Sequence, residues 1–245
     1  ADTLSVYERP WDAVLWVTGD NCSVNQYIGR REGAIPFIGC ASHRFNLVMK
    51  DMLAPEETVL SQVHSLMKAL SKLKYRAKKM HLGPVTRNDT RWSSSYEMVN
   101  RYCRLEPVLR SVDHGTIAEY ALDELMLTRG ENERVFALRD TMEKMEGVTQ
   151  ALQHSTLTLS GTRRLFDRVV AEFPQLRSRL APTAAIVNNT PLESVLVKLQ
   201  HQEQLTAAER SACTLFRLSD SSDNGVNRKR WDVHSVEDVR REMES

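Results

Sequence analysis

Residues 11–53 read WDAVLWVTGDNCSVNQYIGRREGAIPFIGCASHRFNLVMKDML, and the fold class is decided within them. Val14 to Val17 is a continuous apolar run with β-branched and aromatic members, the pattern of a strand buried on both faces. Thr18 and Gly19 end it, leaving Asp20 just past its carboxyl end. In open α/β sheets that is where ligands and catalytic carboxylates collect, because the strand ends open into a crevice. Asn21 or Ser23 is suited to cap a helix running through Val24, Tyr27 and Ile28 to Gly33. Pro36 to Cys40 then makes a second short strand, and the connection is long enough for a parallel crossover. Cys40-x-x-His43 opens the next helix.

Composition bounds the rest. The chain has 245 residues, 41% hydrophobic and 27% charged, with a formal net charge of +1. These are ordinary globular values and allow one large domain or two small ones. The overall charge hides its distribution. Lys68 to Lys79 and Arg228 to Arg230 are basic, whereas Glu119 to Glu146 is largely acidic, so net charge neither favours nor excludes nucleic acid. Four cysteines without a paired framework suit a reducing compartment. No apolar run approaches the roughly 20 residues that span a bilayer, so no membrane role is expected. No signal peptide is read at the N-terminus. The lack of an initiator Met fits a fragment or a processed chain.

Beyond residue 53 the pattern turns helical. Pro55-Glu56-Glu57 starts a long helix with proline and acids in its first turn. Val59, Val63, Leu66, Met67, Leu70 and Leu73 form its apolar stripe. Leu82 to Thr90 is a loop. Ser93 or Ser94 is suited to cap a helix carrying Tyr96, Met98, Val99, Tyr102 and Leu105, which Pro107 either interrupts or ends by starting the next. Further helices are expected over Ile117 to Leu127, Val135 to Met145, Leu157 to Phe173, Leu176 onward with a break at Pro182, Pro191 to Leu199 and Thr206 to Phe216. Ala184 to Val187 fits a short strand. Thr206 and Glu209 have capping-box spacing. Ser219 to Asn227 is a polar linker before a loosely attached end. The domain reading is 1–53 as an α/β core, 54–187 as a helical insertion, 188–218 as helices returning to the core, and 219–245 as linker and tail.

VTGDNCSVN, PFIGCASHRFNL and NDTRWSSSYEMVNRY together resemble the hAT superfamily of cut-and-paste DNA transposases, whose catalytic domain is ribonuclease-H-like. In that family an Asp-Asn pair follows the fourth core strand, matched here by Asp20 and Asn21. A Cys-x-x-His with a downstream Asn-Leu follows the fifth, matched by Cys40, His43, Asn46 and Leu47. An Arg-Trp lies in a helical insertion, matched by Arg91 and Trp92. The likeness runs to about Phe216. It implies an α/β plus mostly α chain, with a partial ribonuclease-H-like core of parallel strands and a large all-helical insertion. It also implies metal-dependent phosphoryl transfer on DNA, with Mg2+ or Mn2+ as cofactor, a nuclear location, DNA ends as partner, self-association, and no small-molecule substrate.

Each residue has two readings. Asp20 is a helix cap or, by the resemblance, a catalytic aspartate holding magnesium, since hard cations take carboxylate oxygens and two metals stabilise attacking and leaving oxygens together. For the third family carboxylate Glu193 is the best match and Glu209 the second; the alternative for both is a solvated helix glutamate. The first family aspartate has no match here, so the chain alone is expected to be inactive, leaving a DNA- or protein-binding module as the alternative function. Cys40, His43 and Cys22 supply three zinc-ligand candidates where a structural site takes four, which argues against zinc. His43 is then expected to position the site or contact DNA. Arg91 and Trp92 are either DNA-binding, the indole stacking on an unpaired base and the guanidinium on a phosphate, or they pack the insertion onto the core.

Overall fold

Two short strands pair in parallel at the start of the chain. β1 (Val17–Gly19) and β2 (Phe37–Gly39) align Val17 with Phe37, Thr18 with Ile38 and Gly19 with Gly39. The pair is closed by Val17 N–H donating to Pro36 O at 2.9 Å and Cys40 N–H donating to Gly19 O at 2.6 Å. This is a computed structural model, and it describes Val6, Glu8, Val14 and residues 16–30, 36–73, 82–88 and 90–214. Those residues belong to one unit, Ala1–Leu215. The expected tail, the Arg228–Arg230 run and the basic stretch after Leu73 lie outside the described residues.

The second strand falls where the sequence placed it, but the first is three residues later than Val14 to Val17 and is not buried. Val17 is 43% exposed and Trp16 41%. Among the described residues β1 has β2 as its sole strand neighbour. With one partner it cannot be covered as a central parallel strand is. Between the strands, α1 (Ser23–Gly29) is capped by neither Asn21 nor Ser23: the Cys22 Sγ accepts from Asn25 N–H at 3.5 Å. Two close approaches fix this βαβ unit. A Cβ on Gly29 would lie 2.4 Å from Phe37 Cβ, and one on Gly39 would lie 1.9 Å from Asn21 Oδ1. Neither position admits a side chain as packed.

The rest is helical. Helix α2 (Ala41–Leu53) leads through a 3-10 turn (Ala54–Glu56) into α3 (Glu57–Leu73). Val59, Val63, Leu66, Met67 and Leu70 bury the stripe that the spacing predicts. Helix α4 (Ser93–Arg110) runs through Pro107 without a break. The proline forfeits one donor in the last turns, while Leu105 and Leu109, both buried on either side of it, keep the helix against the core. No serine side chain caps α4. Ser94 instead donates to Asn88 O and Arg91 O, each at 2.8 Å, tying down the turn ahead of the helix.

The segment expected as one helix over Ile117 to Leu127 is two pieces, α5 (His114–Glu119) and a 3-10 turn (Asp123–Leu125). Ala121 stands at φ 50°, with Leu122 N–H donating to Ile117 O at 3.0 Å and Ala121 N–H to Ala118 O at 3.1 Å. That is the Schellman pattern of a helix stop, here without glycine. Helix α6 (Arg129–Leu152) begins with a capping box between Thr128 and Glu131. It is followed by α7 (Leu159–Glu172), a 3-10 turn (Pro174–Leu176), α8 (Arg177–Leu180), α9 (Thr190–Gln200) and α10 (Ala207–Ala212). Ala184 to Val187 is not a strand. It makes turns, with Ala184 N–H donating to Ala181 O at 3.0 Å and Val187 N–H to Ala184 O at 2.8 Å.

The core lies between α2, α3, α4, α6 and α7. Phe45, Met49, Leu60, Met67, Met98, Tyr102, Met142 and Phe166 are all fully buried there. A buried polar pair crosses it. Tyr102 Oη donates to Asn132 Oδ1 at 2.6 Å, and Asn132 Nδ2 donates to Leu127 O at 3.1 Å and Thr128 O at 3.0 Å. Burial pushes the Tyr102 hydroxyl well above the ordinary phenol range and the Cys103 thiol up to about 11.

Candidate functional site

Parallel strands deliver whatever follows each of them to one end of the sheet. Asp20 and Asn21 follow β1, and Cys40 and His43 follow β2, so the two motifs meet there. Asn21 is buried and donates from Nδ2 to Cys40 O at 3.3 Å, lying across the bare backbone of Gly39. Gln26 Nε2 donates to Asn21 O at 2.8 Å, holding the turn from the α1 side. Asp20 is exposed. Its Oδ1 accepts from Asn25 Nδ2 at 2.7 Å and from Cys22 N–H at 3.3 Å. Hydrogen bonds from Cys22 and Asn25, with His43 close enough to add its charge, hold this carboxyl below its ordinary value. Asp20 therefore ends β1 as an ionised group, with an imidazole near it.

Beside this strand end opens a cavity of about 230 Å3, to which Asn21, Gly39, Cys40, Arg44, Arg163 and Glu193 all contribute. Glu193 lies in the first turn of α9, whose start is set by Asn189 Oδ1 accepting Leu192 N–H at 3.1 Å and by Pro191. Each of its oxygens meets a different guanidinium. Arg44 Nη1 donates to Oε1 at 2.7 Å, and Arg163 Nη1 to Oε2 at 3.3 Å. Arg44 is buried, and each of its three nitrogens donates a hydrogen bond. Its Nε donates to Arg179 O at 2.6 Å and its Nη2 to Ala181 O at 2.8 Å. Arg163 also chelates Asp167 Oδ1, at 2.8 and 3.1 Å. Both cations lie over the Phe166 ring, Arg44 Cζ at 5.3 Å and Arg163 Cζ at 5.6 Å from its centre. Burial pushes the Glu193 carboxyl up, against the pull of both guanidiniums.

This donor set does not fit a two-metal centre. A divalent cation at Glu193 would face two arginines across a carboxylate whose oxygens both already accept hydrogen bonds, whereas such centres need several oxygens free to bridge. Glu209, the second candidate, is held at the start of α10. It closes a capping box with Thr206 and accepts from Lys198 Nζ at 2.9 Å and Ser194 Oγ at 2.8 Å. These bonds, the Thr206 N–H first, lower its carboxyl to about 2. Among the described residues no group of three or more His, Cys, Asp and Glu side chains is placed to hold an ion.

Trp92 and Arg91 part company. Trp92 is 4% exposed, packed edge-on against Phe45 with ring centres 6.4 Å apart and tilted against Tyr96 at 6.5 Å. An indole so enclosed has no face for a base, and its position corrects the expectation that it stacks on DNA. It is the packing residue of the two alternatives. Its backbone N–H donates to Asn46 Oδ1 at 3.1 Å, so the helix after β2 directly anchors the Arg-Trp turn. Arg91 is exposed beside a cleft that Lys50, Arg87 and Asn88 also line. Arg87 pairs there with Glu57.

The sequence reading singled out Glu193 but neither of its arginines, nor Asn188, whose side-chain amide is buried without a hydrogen-bond partner among the described residues. The chain matches no family model, no curated protein and no solved structure.

Proposed function

We propose that this chain derives from a hAT-like DNA transposase and has no strand-cleaving activity of its own. The observation that supports this ancestry is the convergence of the motif residues. Asn21 bonds to Cys40, His43 acts on Asp20, and Asn46 caps the amide of Trp92. Each of the three separately identified motifs is thus joined to the next by a hydrogen bond. A ribonuclease-H-like core, nuclear location and self-association go with this reading.

The second reading is a DNA- or protein-binding module that keeps the scaffold without the chemistry. The ion pairs at Glu193 favour it, because they turn the best candidate for a further catalytic acid into a clamp between helices. Arg91 and Lys50, both exposed, are then the groups to contact phosphates, and binding would weaken as salt rises.

Purified chain incubated with supercoiled or end-containing DNA and Mg2+ or Mn2+ is expected to leave the strands intact. Metal-dependent cutting that disappears in Asp20→Ala would establish catalysis and remove the first claim. Salt-dependent DNA binding weakened by Arg91→Ala would favour the module. No DNA binding at low salt would leave a protein-interaction role.

A further inference from the structure

A second cleft, of about 360 Å3, opens where α2 meets the Arg-Trp turn. Asn46 of α2 accepts the Trp92 N–H at 3.1 Å, and Lys50 stands one helical turn further along the same face. That spacing brings Lys50 and Arg91 to one cleft. The turn bearing Arg91 is held in place. Asn88 Oδ1 accepts from Thr90 N–H at 3.1 Å and from Arg91 N–H at 3.4 Å, and Ser94 Oγ accepts from Asn88 N–H at 3.0 Å.

Three cations line this cleft, Lys50, Arg87 and Arg91, against one acid, Glu57. Arg87 and Glu57 answer each other. Arg87 Nη1 donates to Glu57 Oε2 at 2.9 Å and Nη2 to Oε1, which also accepts from Ser61 Oγ at 2.7 Å. The Arg87 bonds hold this carboxyl below its ordinary value, so it is ionised. Lys50 and Arg91 are exposed, and neither side chain has a hydrogen bond or ion pair among the described residues.

The cleft therefore leaves two positive charges unmet, both on hydrogen-bond donors that a ligand can reach. A carboxylate answers one charge, as Glu57 does for Arg87. A phosphodiester also carries one. A phosphate monoester carries about −1.5 to −2 at neutral pH, with three acceptor oxygens, and charge-assisted bonds to such oxygens are the strong ones. Leu53, Leu60 and Trp92, all buried, give the cleft an apolar wall for the organic part of the ester. Its volume falls within the roughly 300–1,000 Å3 of small-molecule sites.

We infer that this cleft binds a phosphate monoester between Lys50 and Arg91. The inference rests on the binding-module reading, which places both residues on phosphates, and adds a doubly charged ligand held at one site. The ester has two possible sources, a free small molecule or the 5′-phosphate ending a nucleic-acid strand.

The test titrates the purified chain with phenyl phosphate, and with phenyl sulfate as a singly charged control of the same shape, at constant ionic strength. Calorimetry gives affinity, and nuclear magnetic resonance follows the Arg91 side-chain signal. Phenyl phosphate is expected to shift that signal and to bind at least tenfold tighter than the sulfate. Lys50→Gln and Arg91→Gln should each weaken binding at least tenfold, whereas Lys144→Gln, at an exposed cation outside the cleft, should leave it unchanged. Melting curves establish that each variant is folded. In a second arm a short strand with a 5′-phosphate is compared with the same strand ending in a 5′-hydroxyl. Tighter binding of the phosphorylated strand makes a strand end the source. Equal binding of both strands, with phenyl phosphate bound, makes a free ester the source. If neither strand binds while phenyl phosphate does, the DNA-binding reading fails and the monoester site stands. Equal affinity for the sulfate, undiminished binding in a folded Lys50 or Arg91 variant, an equal loss in Lys144→Gln, or no binding at millimolar phenyl phosphate overturns the inference.

Discussion

Arg44 and Glu193 are 149 residues apart in the chain and meet at 2.7 Å. The first belongs to the helix that follows β2 and the second to the first turn of α9, so this contact fastens the end of the described chain to its beginning. Removing one partner of a buried pair costs far more than the pair contributes, since it strands the other charge. Glu193→Ala is expected to lower stability by about 3–5 kcal/mol, read as a shift in the urea midpoint. Arg44→Met with Glu193→Leu should recover part of that loss. If Glu193→Ala melts with the wild type, the pair is not the clamp described here.

The close approaches in the βαβ unit give a steric test. Gly39→Ala must displace Asn21, and Gly29→Ala must displace Phe37. Each is expected to cost about 1–3 kcal/mol, the range of overpacked cores. Asn21→Ala should relieve much of the Gly39→Ala penalty, because the clashing atom is then gone. A strictly additive double mutant would show that Asn21 does not lie across Gly39.

Two helix stops carry the wrong residue. Ala121 and Gln202 have φ 50° and 57°, and Glu203 N–H donates to Lys198 O at 2.9 Å as Leu122 does to Ile117. Left-handed backbone costs a residue with a Cβ roughly 1–2 kcal/mol. Ala121→Gly and Gln202→Gly should therefore each raise stability, by about 1 kcal/mol. A fall in melting temperature for either would mean that the site is not left-handed.

Glu209 sets an acid limit. Its carboxyl is lowered to about 2 in the folded chain, below the roughly 4.3 of a free glutamate. A depressed acid contributes stability that is complete above its unfolded value and is lost as pH falls toward its folded value. Wild type is thus expected to lose stability between about pH 4.5 and 2. Glu209→Gln should be less stable at neutral pH and have a shallower slope across that window. Parallel pH profiles would remove Glu209 from the account.

Trp92→Ala should cost about 3–5 kcal/mol, as large aromatic truncations in cores do. Arg91→Ala, at an exposed position, should leave the melting temperature unchanged. The reverse ranking would mean that the Arg-Trp turn is not packed as described.

What the sequence revealed, and what it withheld, follows from how far each signal reaches. Phe37 to Gly39 was legible because a short apolar run beside a proline is a local pattern, and the capping box at Thr206 is equally local. The first strand was misplaced because its register is set by backbone bonds to Pro36 and Cys40, not by where its apolar residues lie. The stop at Ala121 was invisible, since glycine is the residue that marks such a site. Glu193 was visible as an acid on a helix, but its role depends on Arg44 and Arg163, which no spacing connects to it. Asn188 gave no signal at all. A buried amide is known only from what surrounds it.

The Arg44–Glu193 contact also orders events during synthesis. Helices α2 to α7 leave the ribosome well before Thr190 does, and their local contacts can form as they emerge. Asp167 is at hand for Arg163 within the same helix. The carboxylate that answers Arg44 arrives last, and it must close a long loop against chain entropy. Until then burying Arg44 is unfavourable, so the nascent α2 face that carries it stays hydrated. A chain released before residue 193 would be left with a cation that it can neither bury nor pair, and would be a natural substrate for quality-control proteases.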